Sequence, residues 1–187
     1  MTRRGVLLDR DGTLIRDVGY LCRVDQMELL PHAAESVRLL REAGLTIAIV
    51  TNQSAVGRGL LDETQLASIH RELEARLAAG GAKVDGIYYC PHHPTEAIGT
   101  YRIRCDCRKP QIGMARRAAE DLDLDLSRSY VIGDKESDMK LAEQIGARGI
   151  LLDGEPSADT GYFPARDLRQ AALLVVDDMK RAERRKA

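Results

Sequence analysis

A short apolar segment near the start of the chain ends in two closely spaced carboxylates. Residues 6–8, Val-Leu-Leu, are typical of a buried strand, and Asp9 and Asp11 follow them, with Gly12 next. Carboxylates two residues apart are costly to remove from water, and a bound cation is the simplest way to offset that cost. Because parallel sheets bind ligands at the carboxyl ends of their strands, we expect a cation site here. A strand that merely ends in a polar turn is the alternative.

Two later predicted strands also lead into polar side chains. The run 45–50 is followed by Thr51-Asn52, and the run 129–133 is followed by Asp134, with Asp138 in the next helix. Strands and helices alternate along the chain, which predicts a Rossmann-like three-layer α/β/α sandwich with a mainly parallel sheet. Three or four carboxylates gathered at one sheet edge need a cation, and hard oxygen ligands favour magnesium. Such a site suits phosphoryl transfer.

The remaining predicted elements complete this alternation. Helices are predicted over residues 32–43, 62–78, 113–122 and 138–145 and near the C-terminus, with a basic end at 180–186, and further strands over 87–89 and, last in the sheet, 149–152. Residues 15–31 show no periodicity and are predicted to form a loop beside the carboxylates, which often acts as a functional lid. Within it, Cys22 receives no role. His70 lies beside an apolar helix stripe, which favours a structural role.

Four soft or borderline metal ligands lie in the segment 90–107. Cys90, His92, Cys105 and Cys107 have the number and spacing of a closed tetrahedral zinc site, and His93 is an alternative to His92. Four ligands leave no open position, so we predict a structural zinc that stiffens an otherwise irregular loop. Unligated thiols are the alternative.

Two cations, Arg108 and Lys109, follow the last of these cysteines directly. A loop clasped by zinc would deliver both side chains to a fixed place, which favours a role facing a phosphate. A solvated basic pair is the alternative.

Composition narrows the class of function. The 187 residues predict one domain spanning 1–187. A net charge of −1 and a single Phe without Trp disfavour nucleic-acid binding, and the apolar runs are too short to cross a membrane. The chain reaches Asp9 before a signal-peptide core could form. We therefore expect a cytoplasmic, monomeric protein whose partner is a small molecule.

The polar motifs, taken in order, resemble the haloacid dehalogenase (HAD) superfamily of phosphatases. These are Asp-x-Asp-Gly-Thr at 9–13, Thr51, Lys109 and Gly-Asp-x-x-x-Asp at 133–138. The resemblance implies that Asp9 is the nucleophile that forms an aspartyl phosphate, and that Asp11 is the general acid and then the general base. It also implies that Thr51 and Lys109 bind the phosphoryl oxygens.

The resemblance extends to the metal. It implies magnesium held by Asp9, Asp134 and the backbone carbonyl of Asp11. Asp138 would lie outside the metal ligands and orient Lys109 or a metal-bound water.

Within the superfamily, the chain is similar to the heptose bisphosphate phosphatases and to the closely related histidinol-phosphate phosphatases. These relatives have a HAD fold with almost no cap domain and a zinc-binding loop, here about 90–107. The resemblance implies hydrolysis of the C7 phosphate of a heptose 1,7-bisphosphate, a step towards nucleotide-activated heptose. The residues implied in phosphate or sugar binding are Gly19, Tyr20, Asn52, Gln53, Ser54, Arg108 and Lys135.

Three alternatives stay open at this point. A histidinol-phosphate phosphatase, or another small sugar-phosphate phosphatase, is the nearest, although Arg108 would repel the amine of histidinol. A phospho-accepting receiver domain also groups carboxylates, Thr and Lys, but Asp11 can activate water and so argues against a stable phosphate signal. A zinc-stabilised nucleic-acid module conflicts with the near-neutral charge.

Overall fold

A six-stranded parallel sheet forms the centre of the computed structural model, which describes residues 2–153 and 161–184. The strands in chain order are β1 (Gly5–Leu8), β2 (Thr46–Asn52), β3 (Gly86–Cys90), β4 (Tyr130–Gly133), β5 (Arg148–Leu152) and β6 (Phe163–Ala165). Their order across the sheet is β3-β2-β1-β4-β5-β6, and every neighbouring pair is parallel. The direction of winding reverses between β1 and β4, so their carboxyl ends border the crevice where such sheets bind ligands.

Helices cover both faces of the sheet and complete three layers. They are α1 (Ala33–Glu42), α2 (Ser54–Gly57), α3 (Glu63–Ala79), α4 (Gly113–Leu122), α5 (Glu136–Gln144) and α6 (Leu168–Arg184). Helices α1, α3 and α6 pack into one apolar cluster, whereas α4 and α5 pack into another. The predicted three-layer α/β/α sandwich is confirmed. The predicted basic end at 180–186 runs past Arg184 and so beyond the described residues.

Alternation along the central strand explains why it reads as a continuous apolar run. Val6 and Leu8 belong to the cluster with α1, α3 and α6, whereas Leu7 belongs to the cluster with α4 and α5. All three side chains are fully buried. A parallel strand covered on both faces needs apolar residues at every position. No helix in the described part of the chain has both the length and the apolar character needed to cross a bilayer.

The structure corrects two sequence predictions and adds one short helix. β5 is not the last strand, because Phe163–Ala165 pairs with it; that strand has only three residues and a central Pro, too little for a periodic signal. Ser54–Gly57 is a one-turn helix that the sequence analysis did not predict. α5 begins at Glu136 rather than at residue 138, because the Asp138 carboxylate accepts the backbone N–H of Lys135 and stabilises the first turn.

Two connections form the surroundings of the sheet edge at which β1 ends. Residues 9–32 join β1 to α1 and residues 91–112 join β3 to α4. The first is irregular as predicted, apart from a 3₁₀ turn at Val24–Gln26. The half-buried Cys22 in it packs against the core and takes no part in the site. Both segments lie where loops can contribute side chains to a ligand site.

Core packing of α3 can be tested by truncating one side chain. Leu73 is fully buried, so Leu73→Ala should lower the free energy of unfolding by about 2–5 kcal/mol, through lost apolar burial and the cavity left behind. Leu173→Ala is the matched control, since that leucine is 49% exposed, and should change stability by less than about 0.5 kcal/mol. Urea unfolding followed by circular dichroism measures both. Equal losses in the two variants would contradict the assigned burial.

Candidate active site

Asp9 lies directly beyond β1 with its carboxylate held in place. It is 4% exposed, and its Oδ1 accepts the backbone N–H of Arg10 at 2.7 Å and lies 2.9 Å from Lys109 Nζ. These contacts hold one oxygen of the carboxylate in place. A fixed carboxylate at the end of a central strand is well placed to act as a nucleophile.

Three carboxylates surround a single buried lysine. Oxygens of Asp9, Asp134 and Asp138 lie within 4.8 Å of one another. Lys109 Nζ is 2.9 Å from Asp9 Oδ1 and 2.6 Å from Asp138 Oδ1. Burial by itself would lower the pKa of Lys109, but the two carboxylates outweigh burial and raise it. Lys109 is therefore a cation that neutralises part of the cluster, whereas the cation near Asp134 is Lys135, whose Nζ lies 3.9 Å from Asp134 Oδ2.

Asp134 has the properties of a metal ligand. Its Oδ1 is buried without a hydrogen-bond partner. Burial, with the nearby charge of Asp9 adding to it, raises the pKa of Asp134 to about 6. Gly12 has a φ of +81°, and a Cβ at that position would collide with the Asp134 carboxylate. Two hard carboxylate donors with one orphaned oxygen fit a divalent cation such as magnesium.

The Asp11 carboxylate lies outside this cluster and points to other partners. It accepts hydrogen bonds from Arg10 on both oxygens, each at 3.1 Å, and from Gln53 Nε2 at 2.8 Å. Gln53 Nε2 also donates to Thr51 Oγ1 at 2.8 Å. The two predicted catalytic carboxylates are thus held by different donor atoms, although Arg10 contacts both, through its backbone N–H at Asp9 and its side chain at Asp11. Sequence reasoning missed Arg10, whose only signal was a cation placed between two carboxylates.

A cavity of about 350 Å³ opens beside these groups. Its lining brings together nine residues predicted for the site, which are Asp11, Gly19, Tyr20, Asn52, Gln53, Ser54, Arg108, Lys109 and Lys135. Asp17, Ala55 and Ser137 also line it and were not predicted. A larger cavity of about 730 Å³ lies between β3 and α4, beside Tyr88 and Arg117. The smaller cavity is the one that the titratable groups and cations identify as the site.

Asn52 and the zinc-ligand loop fix the two adjacent cations. Asn52 Oδ1 accepts the backbone N–H of Lys109 at 3.0 Å, and Asn52 Nδ2 donates to the carbonyl of Lys109 at 3.2 Å. Arg108 donates to the carbonyl of His92 at 3.1 Å. Asn52, predicted to bind substrate, thus clamps the backbone that carries Lys109. It also lines the cavity.

Three segments meet at the rim of the cavity. Lys135 Nζ lies 2.9 Å from Asp17 Oδ2. Burial opposes ionisation of Asp17, but the hydrogen bond from Lys135 outweighs burial and lowers its pKa. The Tyr20 ring lies under the Arg58 guanidinium at 5.1 Å, and Arg58 also pairs with Glu96. The irregular loop after β1 is thereby held to α5, to the end of α2 and to the 91–112 segment.

Cys90, His92, Cys105 and Cys107 converge at one point. Cys107 Sγ lies 3.0 Å from Cys90 Sγ, 3.3 Å from Cys105 Sγ and 3.3 Å from His92 Nδ1. The three cysteines are free thiols, and burial raises the pKa of Cys107 to about 11. Four donors that leave no open position match the tetrahedral coordination that zinc prefers in structural sites. His93 instead accepts the backbone N–H of Glu96 at 3.0 Å, so the structure places His92 in the cluster.

Comparison with known proteins gives concordant matches. Residues 106–182 match the HAD-hydrolase-like family. The D-glycero-beta-D-manno-heptose-1,7-bisphosphate 7-phosphatase of Photorhabdus laumondii is 38% identical over 176 residues, which is 93% of this chain and 90% of that protein. The enzyme of that name from Escherichia coli K12 is 38% identical over 153 residues, 81% of this chain and 80% of that protein.

Solved structures agree with these sequence matches. The D,D-heptose 1,7-bisphosphate phosphatase of B. bronchiseptica, crystallised with magnesium and phosphate, superposes with a TM-score of 0.81 and 31% identity, covering 94% of this chain and 99% of that one. The enzyme of that name from Burkholderia thailandensis gives a TM-score of 0.65 and 26% identity, covering 91% of this chain and 97% of that one.

The raised pKa of Asp134 predicts a pH dependence of stability. Without divalent cations this carboxyl has a pKa of about 6 when folded against 3.8 ordinarily, so the folded chain binds more protons between those values. The free energy of unfolding should then fall as pH rises through that range and stay lower above it. Asp134→Asn cannot ionise, and at neutral pH it should be more stable than the parent by about 1 kcal/mol after allowance for solvent screening.

Urea unfolding in magnesium-free buffer at several pH values measures this effect. Asp177→Asn, on the exposed side of α6, is the matched control and should follow the parent curve. Adding magnesium should stabilise the parent but not Asp134→Asn. A parent curve that rises between the two pKa values relative to Asp134→Asn would contradict the assigned environment.

Proposed function

Because this chain belongs to the HAD-like family of D-glycero-D-manno-heptose-1,7-bisphosphate 7-phosphatases, we propose that it hydrolyses the C7 phosphate of the heptose 1,7-bisphosphate. The resemblance to HAD phosphatases drawn from the motifs is confirmed by these relatives. The observation that supports this proposal is the buried Asp9, which is clustered with Asp134 and paired with Lys109. One oxygen of Asp134 has no partner, and Lys109 lines the cavity together with Arg108 and Lys135. The product, heptose 1-phosphate, would feed nucleotide-activated heptose synthesis.

In the first step, a carboxylate oxygen of Asp9 attacks phosphorus and the ester bond to the C7 oxygen breaks. Protonated Asp11 gives its proton to that leaving oxygen, and an aspartyl phosphate forms. The Thr51 hydroxyl and Lys109 hold phosphoryl oxygens, and the phosphoryl group takes up the contact that Lys109 now makes with Asp9. Asp138 keeps the lysine oriented, as their 2.6 Å contact supports. These groups supply the positioning and charge neutralisation that phosphoryl transfer needs.

In the second step, the Asp11 carboxylate takes a proton from a water molecule whose oxygen attacks phosphorus. The bond between phosphorus and Asp9 breaks, inorganic phosphate leaves, and both carboxyl groups return to their starting states. Magnesium would be held by Asp9, Asp134 and the backbone carbonyl of Asp11, and it supplies charge neutralisation at the phosphoryl oxygens.

The cavity lining supports a bisphosphate as substrate. Arg108 and Lys135 both line it, so a phosphate away from the reacting one has cationic partners there. Gly19, Tyr20 and Ser54 would contact the sugar. The oxygen and the nitrogen of the Gln53 side-chain amide both form hydrogen bonds with protein groups. Gln53 therefore contributes mainly by shaping the cavity wall.

Histidinol phosphate is the second candidate substrate. Asp17 lines the same cavity, and its carboxylate favours binding of the histidinol amine there. Lys135 already lies 2.9 Å from the Asp17 carboxylate, however, and Arg108 adds a further positive charge. The balance of charge therefore favours the bisphosphate. We retain as predictions that the protein is one domain, is a monomer and acts in the cytoplasm.

A structural zinc at Cys90, His92, Cys105 and Cys107 is the second part of the proposal. The four donor atoms lie within 4.8 Å of one another, and a closed set leaves no position for substrate. Its effect on the reaction would be indirect. Because Arg108 and Lys109 directly follow Cys107, the bound zinc would hold both cations in a fixed position beside the cavity.

The function is tested by a substrate panel with magnesium. We expect the heptose 1,7-bisphosphate to be hydrolysed at C7 with a higher kcat/KM than histidinol phosphate or a nucleoside monophosphate. Asp9→Asn is nearly isosteric and should abolish turnover of every ester while keeping the parent circular dichroism spectrum. Phosphate release and NMR of the product measure rate and position. Faster turnover of histidinol phosphate would overturn the substrate, and full activity of Asp9→Asn would overturn the mechanism.

The zinc is tested by Cys107→Ser. This change should reduce bound zinc to well below one ion per chain, lower the melting temperature, and reduce phosphatase activity through a loosened Arg108-Lys109 segment. Cys22→Ser is the matched control, since that thiol lies outside the cluster. Metal analysis, thermal unfolding and activity are measured together. One zinc per chain and parent stability in Cys107→Ser would refute the structural zinc.

A further inference from the structure

Arg10 is a charged side chain buried where the mechanism above gives it nothing to do. It is 1% exposed, and it is the largest of the fully buried side chains among the described residues. A guanidinium stays charged under all ordinary conditions, and an isolated buried charge is strongly unfavourable. The contacts that compensate for this burial therefore reveal what the residue is placed to do.

The strongest of these contacts is with Asp11. Arg10 Nε donates to Asp11 Oδ2 and Arg10 Nη2 donates to Asp11 Oδ1, both at 3.1 Å. Two parallel bonds from a planar fork define the plane of the carboxyl group, which a single bond cannot do. The Asp11 side chain keeps 15% exposure and lines the cavity. Its rear is thus fixed by Arg10 while its front stays available to a substrate.

The other contacts fix Arg10 itself. Arg10 Nη2 donates to Gln53 Oε1 at 2.8 Å, and the same amide donates through Nε2 to Asp11 and Thr51. Arg10 Nη1 lies 3.3 Å from His70 Nε2. Burial, with the charge of Arg10 adding to it, lowers the pKa of His70 to about 3, so His70 is neutral and accepts this bond. His70 therefore supports the network rather than exchanging protons.

Arg10 also touches the nucleophile through its main chain. Its backbone N–H donates to Asp9 Oδ1 at 2.7 Å, next to the contact that Lys109 makes with the same oxygen. One residue thus relates the orientations of the two carboxylates that must act in turn. The rate of general acid–base catalysis depends on the position of the proton donor, so holding Asp11 rigidly in place should raise the rate of proton transfer.

We propose that Arg10 is a positioning residue that holds the Asp11 carboxyl in line with the leaving oxygen and later with the attacking water. This inference rests on the proposed function, because it concerns the group that moves protons in that reaction. The alternative is a structural ion pair whose loss lowers stability but affects all phosphate esters alike.

The two roles predict different dependence on the leaving group. A sugar alkoxide is a poor leaving group and needs the proton of Asp11, whereas p-nitrophenolate leaves without one. If Arg10 positions Asp11, its loss slows phosphoryl transfer from the sugar ester far more than from p-nitrophenyl phosphate. The second step, in which Asp11 acts as base, slows equally for both esters because the aspartyl phosphate is the same.

The test uses full-length Arg10→Met with magnesium, under single-turnover conditions with enzyme in excess. Release of the sugar product with its free C7 hydroxyl should slow by about 100-fold, while release of p-nitrophenolate should stay within about fivefold of the parent rate. Phosphate release should slow by about 100-fold with either ester. Arg10→Lys keeps the cation but not the fork, and should show a smaller loss with the same selectivity for the sugar ester.

Two further comparisons complete the design. In an Asp11→Asn background, Arg10→Met should cause no further loss, because the positioned group is already gone. Arg38→Met, on the exposed side of α1, is the matched control and should leave all rates unchanged.

Equal slowing of both esters in the first turnover, unchanged rates, or additive losses with Asp11→Asn would overturn the positioning role. If Arg10→Met does not fold, Arg10→Lys tests the proposal instead, by the loss of rate with the sugar ester relative to the loss with p-nitrophenyl phosphate. If the parent enzyme cleaves neither ester, it is the proposed function that fails rather than this inference.

Discussion

Buried like charges held next to one another are the constraint on which the rest of this structure depends. Asp9, Asp134 and Asp138 lie within 4.8 Å, with Lys109 between two of them. Such a cluster is costly in a folded chain unless cations balance it. The lysine balances part of this charge, and a divalent cation at the unsatisfied oxygen of Asp134 would complete the balance. The same arrangement that would repel a phosphate when uncompensated receives one when the cations are present.

Holding Lys109 in the cluster requires support from distant parts of the chain. Asn52 clamps its backbone on both sides, and the segment that carries it follows directly from Cys107 of the thiol cluster. A zinc ion in this closed set of four donors, as we propose, would therefore support the site without contacting substrate. It would convert an irregular connection into a rigid segment, at a lower cost in sequence length than an added domain.

Several elements were readable from sequence because their signals are local. The β1 run with Asp9, the stripe of α3 and the spacing of the cysteines each depend on neighbours a few residues apart. The prediction failed where the element is short: α2 has one turn and β6 has three residues with a central Pro, so no periodicity develops. The earlier start of α5 came from a hydrogen bond of Asp138 that no spacing rule includes.

The sequence by itself determined the layered α/β architecture, the strand ends that carry carboxylates and the set of four metal donors, since periodicity and residue chemistry act over short distances. Only the tertiary structure decided which of these groups pair. Arg10 meets Gln53 and His70, and Asn52 meets Lys109, across separations of 43, 60 and 57 residues. Such pairings are set by how helices pack on the sheet, because a buried charge must find its partner wherever packing brings one.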